Sequence, residues 1–148
     1  SFHIIYNETL RDRVCAVSNK THYNEMNVLS MHALIGAYQP QGYEWVDELN
    51  QVLADNIEYF CTYAEKHWKG VAFSRPQGTY MVFLDCTEWC REHGRDIQWL
   101  LDEGARVGVG YQDGRPFHGP CHVRVNLALP LSRVKEACDR LDRYVFNA

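Results

Sequence analysis

The 148-residue sequence contains no apolar run near the ~20 residues that a membrane-spanning helix requires, which argues against a helical membrane anchor. Positive charge is also scarce. With 15 Lys and Arg against 19 Asp and Glu, a net charge of -4 and a pI near 5.9, the chain lacks the basic field that nucleic-acid binders use to hold phosphates. The opening stretch Ser1-Phe2-His3-Ile4-Ile5-Tyr6-Asn7 lacks the basic-then-apolar order of a secretory signal, so a soluble, unsecreted, cytoplasmic protein is expected. Internal repeats, low-complexity tracts and linkers are absent too. What remains, 46% hydrophobic and 23% charged, is the composition of a globular domain with a real core.

Six cysteines are present: Cys15, Cys61, Cys86, Cys90, Cys121 and Cys138. A chain of this size can bury enough apolar surface to stand without disulfides, so free thiols are expected. Cys86, Cys90 and His93 make a C-x3-C-x2-H cluster, but a closed zinc site wants four ligands and no second half follows. No metal site is expected.

Periodicity organises the chain. Residues 1 to 22 are the least regular part. From Tyr23 to Tyr38 the apolar positions suit a helix with a broad buried face, stopped by Pro40 and Gly42. Trp45, Leu49, Val52, Leu53, Ile57, Phe60, Cys61, Ala64 and Trp68 then recur at three-and-four spacing until Gly70. They predict one amphipathic helix from about Glu44 to Lys69, roughly 39 Å long at 1.5 Å per residue and suited to bridging two domains. Val71-Ala72-Phe73 reads as a short strand that should pair with a second strand over Thr79–Leu84, across the turn Arg75-Pro76-Gln77-Gly78. Thr87 to His93 makes a short helix, Asp96 caps another that Gly104 halts, and Arg106–Val109 reads as a third strand.

Gly110 to Pro120 is a turn-rich loop crowded with Tyr111, Gln112, Asp113, Arg115, Phe117 and His118. Cys121–Ala128 alternates strictly, setting Val123, Val125 and Leu127 against His122, Arg124 and Asn126. Pro130 ends this strand, Ser132 is the expected cap of the last helix, and Val134, Ala137, Cys138, Leu141 and Val145 give that helix its stripe. The order implies an α+β fold, a small mainly antiparallel sheet with helices on one face and the other face open.

Arg124 is the leading candidate for chemistry, because an arginine among strand-formers has a fixed anionic partner and its planar fork matches a carboxylate. From spacing alone, that partner is either an internal Asp or Glu or a bound ligand. His118 and His122 flank the position, while His3, His22, His32, His67 and His93 show no ligand spacing.

Three blocks decide more. They are Ser74-Arg75-Pro76-Gln77-Gly78-Thr79-Tyr80-Met81-Val82-Phe83-Leu84-Asp85, then Asp113-Gly114-Arg115-Pro116-Phe117-His118-Gly119-Pro120, then His122-Val123-Arg124-Val125-Asn126-Leu127-Ala128-Leu129-Pro130. In this order they resemble the small, carboxyl-terminal domain of class I/II aminotransferases dependent on pyridoxal 5'-phosphate (PLP), and most closely the cystathionine β-lyase-type carbon-sulfur lyases. Tyr23-Asn24-Glu25-Met26-Asn27-Val28-Leu29-Ser30 is similar to that branch's segment before the interdomain helix. The resemblance implies the carboxyl-terminal domain of PLP-dependent fold type I, with residues 1–42 a remnant of the large cofactor-binding domain and 43–148 the small domain with its bridging helix. It also implies that Arg124 binds the substrate α-carboxylate, that Asn126 shares its strand face, and that Tyr111 lies on the rim of the substrate pocket.

PLP enzymes hold their cofactor as a Schiff base to a lysine. The chain has only Lys20, Lys66, Lys69 and Lys135. Lys20, in Ser18-Asn19-Lys20-Thr21, lacks the glycine and leucine that the family places shortly after its lysine, and the other three lie on helices as ordinary surface cations. The resemblance therefore puts the cofactor lysine upstream of Ser1 and implies a fragment that is inactive by itself. The parent would act on an amino-acid substrate, as a homodimer, with the large domain as this segment's partner. The alternative is a stand-alone α+β module that binds a small carboxylate without catalysis.

Overall fold

The computed structural model describes residues 3–22 and 27–147. The chain divides into two compact units, Ser1–Val46 and Asp47–Ala148, a boundary four residues beyond the expected one and inside a helix.

The first unit is helical. Helix α1, Glu8–Thr21, occupies the stretch expected to be irregular. Asn7 caps it by accepting from Leu10 N at 2.9 Å, Glu8 sits in its first turn and Lys20 in its last, so both ends suit the helix dipole. Helix α2, Val28–Ala37, is capped by Asn27, which accepts from Ser30 N at 2.8 Å. The part of the expected helix over residues 23–26 lies outside the described residues. The expected buried face of α2 is not seen: Val28, Leu29, Met31, Leu34 and Ile35 are all exposed. A segment apolar all round has no polar side to turn outward.

Helix α3, Pro40–His67, spans 28 residues, or about 42 Å. Pro40 begins it instead of merely ending its predecessor, since a first-turn proline loses no hydrogen bond. Only its second half is buried, at Asn56, Phe60, Cys61 and Ala64.

The second unit is an α+β layer. Strands β1 (Met81–Asp85), β2 (Gln112–Asp113) and β3 (His122–Asn126) form an antiparallel sheet in the order β1-β3-β2. Helices α4 (Thr87–His93), α5 (Ile97–Arg106) and α6 (Leu131–Leu141) follow in chain order, and α6 runs into one wide π turn over Asp142–Phe146. Val82, Leu84, Val123 and Val125 point from the sheet into a core completed by Phe60, Trp68, Trp89, Leu100, Cys138, Leu141 and Phe146. Burying each large side chain of this set contributes about 1.5–3 kcal/mol.

Several local expectations are corrected. Residues 71–73 make only a single bridge, Ala72 to Asp85. Gly104 does not halt α5 but is buried inside it. Residues 106–109 are not a strand: Arg106 ends α5, and Val107 and Gly108 turn out of it, Gly108 with φ 78, which strand residues avoid. The third strand is β2, a few residues later. Ser132 does not cap α6, because the Pro130 carbonyl already receives Arg133 N and Val134 N. Asp96 does cap α5, accepting from Trp99 N at 2.8 Å. Of the two tryptophans in the apolar stripe, Trp68 is 2% exposed, whereas Trp45 is 61% exposed. Among the described residues no helix is long and apolar enough to cross a membrane.

Candidate functional site

The register of β3 builds the site. Directly opposed residues of antiparallel strands share a face, so the pairs Met81–Asn126, Phe83–Arg124 and Asp85–His122, with Gln112 beside Arg124, form the second face of the sheet. Unlike the core face, it is only partly covered.

Arg124 is half-buried in the middle of this face, between Phe83 and Gln112. Its guanidinium carbon lies 4.0 Å from the centroid of the Phe117 ring, and it makes no ion pair or hydrogen bond among the described residues. Among the described residues, no carboxylate pairs with it. Other arginines of the second unit behave differently. Arg75, Arg91, Arg106, Arg115, Arg133 and Arg140 all pair with Glu or Asp. Arg95 and Arg143 also lie over rings, those of Trp99 and Tyr144, but both are exposed. Arg124 alone combines partial burial with a free fork among the described residues of this unit.

The one acid on the face is committed elsewhere. Asp85 Oδ1 accepts from Thr87 N at 2.9 Å and from Thr87 Oγ1 at 2.5 Å, while Oδ2 lies 3.8 Å from His122 Nε2. Burial works to raise this carboxyl, but the Thr87 hydrogen bonds and the His122 charge together hold it below the ordinary carboxylate range. The His122 ring packs on Phe83 with centroids 4.7 Å apart, and its Nδ1 is buried without a partner.

The loop after β2 is pressed onto this face. A side chain on Gly114 would meet the His122 carbonyl at 2.4 Å, and one on Gly119 would meet the Phe83 ring at 2.5 Å. Between them Arg115–Phe117 makes one tight turn, closed by His118 at φ 62. His118 is exposed and serves as this cap.

Asn126 lies at the exposed end of the same strand face, where Oδ1 accepts from Ala128 N at 2.8 Å and turns the chain out of the sheet. It also borders a groove of about 360 Å³ floored by Phe60, Leu127, Val134 and Leu141 and edged by Arg133 and Arg140. Arg124 does not line that groove. Tyr111 stands apart from both. Its hydroxyl donates to the Leu100 carbonyl at 3.0 Å, and burial pushes its pKa up, so the hydroxyl is turned inward against α5.

Gln112 and Phe117 stand in the loop that the sequence marks as crowded with polar and aromatic side chains, but nothing in the sequence ties them, or Phe83, to Arg124. The strict alternation of residues 121–128 puts Arg124 on this face, but its neighbours there follow only from the register.

Lys20, Lys66 and Lys69 are exposed, and Lys135 is an exposed cation whose Nζ lies 5.2 Å from the Tyr59 ring. Cys86 and Cys90 are buried, and His93 Nδ1 is within 2.8 Å of the Trp89 carbonyl. No group of three or more His, Cys, Asp or Glu among the described residues could hold a metal ion.

Comparison with known proteins agrees with the resemblance in the sequence. No family model matches the chain. It is 34% identical over 122 residues to a putative cystathionine beta-lyase of Mycobacterium leprae, covering 72% of this chain and 29% of that protein. It is 30% identical over 139 residues to protein MalY of Escherichia coli, covering 92% of this chain and 35% of that one. Among solved structures, the PLP-bound C-S lyase of Staphylococcus hominis superposes with a TM-score of 0.81 at 26% identity, over 97% of this chain and 37% of the other. Cystalysin from Treponema denticola shares the fold, with a TM-score of 0.82 at 23% identity over 96% of this chain. The chain thus spans about a third of the length of the relatives it matches. Over that third, sequence and fold together place it in the family of PLP-dependent carbon-sulfur lyases and aminotransferases.

Proposed function

We propose that this chain forms the substrate-carboxylate side of a PLP-dependent enzyme acting on amino acids, with Arg124 as the group that receives the α-carboxylate. One observation carries the reading: Arg124 is half-buried on a regular strand yet its fork meets no carboxylate of the described chain. A half-buried cation without an anionic partner has lost part of its hydration unrepaid, and a bound carboxylate would satisfy it with two parallel hydrogen bonds. The face around it is Phe83, Gln112 and Phe117, apolar and neutral, which suits an amino acid held by its carboxylate. Asn126 borders the same face and is proposed to help close the site. Tyr111 supports it from within by fixing β2 against α5.

All four lysines are exposed side chains, Lys66, Lys69 and Lys135 in the second unit and Lys20 in the first. The cofactor, its lysine and the remainder of the pocket are therefore proposed to come from the large domain, in a homodimeric cytoplasmic parent, and this segment by itself is proposed to be inactive. Residues 1–42 are read as part of that large domain. An arginine that clamps the α-carboxylate serves transamination and β-elimination alike, so it does not separate them.

Two measurements test this. In the full-length protein, Arg124→Gln should weaken amino-acid substrates by about 10- to 100-fold, the equivalent of a lost charge-assisted bidentate bond, and release of pyruvate and ammonia from cystathionine should identify a lyase. In the 148-residue chain, PLP should give no saturable Schiff-base absorbance. A band abolished by Lys20→Ala would overturn the inactive-segment reading.

A further inference from the structure

We infer that Phe117 is the positioning residue for Arg124, holding the guanidinium plane by its ring so that every N–H of the fork stays available to a carboxylate. The inference rests on the reading of Arg124 as the carboxylate receiver and adds the device that prepares it.

The geometry has two parts. The guanidinium carbon lies 4.0 Å from the Phe117 ring centroid, well within cation–π reach. Guanidinium donors lie in the plane of the group, whereas a ring contact uses its face. The two interactions are orthogonal, so a ring can hold an arginine without occupying any donor. An internal carboxylate cannot, as Arg75 illustrates: its Nε, Nη1 and Nη2 are engaged by Glu58, Glu65 and Thr62. Arg75 has no fork left for a ligand.

The ring is itself held from both sides of its loop. Phe117 N donates to the Gly114 carbonyl at 2.9 Å, and Gly119 N donates to the same carbonyl at 3.1 Å. Gly114 N donates in turn to the His122 carbonyl at 2.9 Å, tying the turn to β3 two residues before Arg124. Arg115 fastens the entry, its N and Nε donating to Asp113 and its Nη2 to Gln98 Oε1 at 3.1 Å. The loop is thus a bracket that sets one ring over one cation. Fixing a long side chain before a ligand arrives removes part of the rotamer entropy that binding would otherwise cost.

Packing alone does not explain Phe117. It is 47% exposed and belongs to no buried cluster. A leucine would fill similar space but has no π face.

The test is an NMR titration of arginine-labelled full-length protein with sodium propionate, following the Arg124 Nε–Hε group, which Arg124→Gln assigns. In the unmodified protein Hε should be displaced by the ring current of Phe117. Phe117→Leu should remove the displacement and weaken propionate about two- to fivefold, the size of a cation–π contact at a partly exposed site. Phe117→Tyr should restore both readouts, and Phe117→Trp should bind at least as well as the unmodified protein; these two also serve if the leucine variant does not fold. Unchanged propionate affinity in Phe117→Leu, with Arg124→Gln impaired, overturns the positioning role alone. Unchanged affinity in Arg124→Gln overturns the carboxylate reading and this inference with it.

Discussion

The ring of Tyr111 occupies the space into which a side chain at Gly104 would project: a Cβ there would stand 2.6 Å from Tyr111 Cζ and 2.7 Å from its hydroxyl oxygen. Helix α5 therefore keeps a glycine in its interior, although alanine would favour the helix by about 1 kcal/mol. Gly104→Ala should reverse that sign and lower stability by about 1–3 kcal/mol through overpacking, read as a lower urea midpoint. In a Tyr111→Leu background the added methyl should cost less, giving a coupling between the two positions. An additive pair would show that the ring is not what excludes the side chain.

Arg124→Gln should leave folding stability within about 1 kcal/mol, because no carboxylate of the described chain is stranded by the change and only a ring contact is lost. Arg75→Gln should lower the midpoint further, since it releases both Glu58 and Glu65 and frees the loop before β1 from α3. The order of the two midpoints in one urea series checks whether Arg124 belongs to binding or to folding.

Asn56 is fully buried in α3, and its Nδ2 donates at 2.8 Å to the carbonyls of both Leu127 and Leu129. One amide thus fastens the exit of β3 to the long helix. Asn56→Ala should cost about 1–3 kcal/mol by leaving the Leu129 carbonyl without its side-chain donor and the Leu127 carbonyl with Leu129 N alone. Hydrogen exchange should show the segment after Asn126 opening first in that variant. Protection unchanged at Leu127 and Leu129 would mean another donor takes over.

The thiols give a pH dependence with a definite sign. Burial, the main cause in each case, pushes Cys61 up to about 11 and Cys90 and Cys138 up to about 12, from a reference of 9.0. Their neutral forms are favoured by the fold, so this contribution is complete below about pH 9. It is lost as pH rises from 9 through 11 and 12, because the unfolded chain gives up its thiol protons first. Urea midpoints in reducing buffer should stay flat to about pH 8.5 and then fall, and Cys138→Ser should make the fall shallower. At pH 8, exposed Cys15 should react with a thiol reagent well before buried Cys86 and Cys138.

Much of this was legible in one dimension because its causes are local. The alternation of residues 121–128 follows from the two-residue period of a strand, and the Asp96 cap from a short side chain reaching a free N–H. Helix α1 carries its cap and end charges in the sequence but has no buried residue, so it leaves no core stripe in the hydrophobic pattern. Residues 106–109 went the other way: valines promised a strand, and the positive φ of Gly108 made a turn.

By itself, then, the sequence determined the α+β order, the free thiols, the family resemblance and the choice of Arg124, all of which depend on residue type and short spacing. Only the tertiary structure decided that Phe83, Gln112 and Phe117 surround that arginine, that the Tyr111 hydroxyl faces inward and that no carboxylate of the described residues reaches the fork. Those facts depend on strand register and on how one loop folds across a sheet, and both bring together residues that spacing along the chain keeps apart.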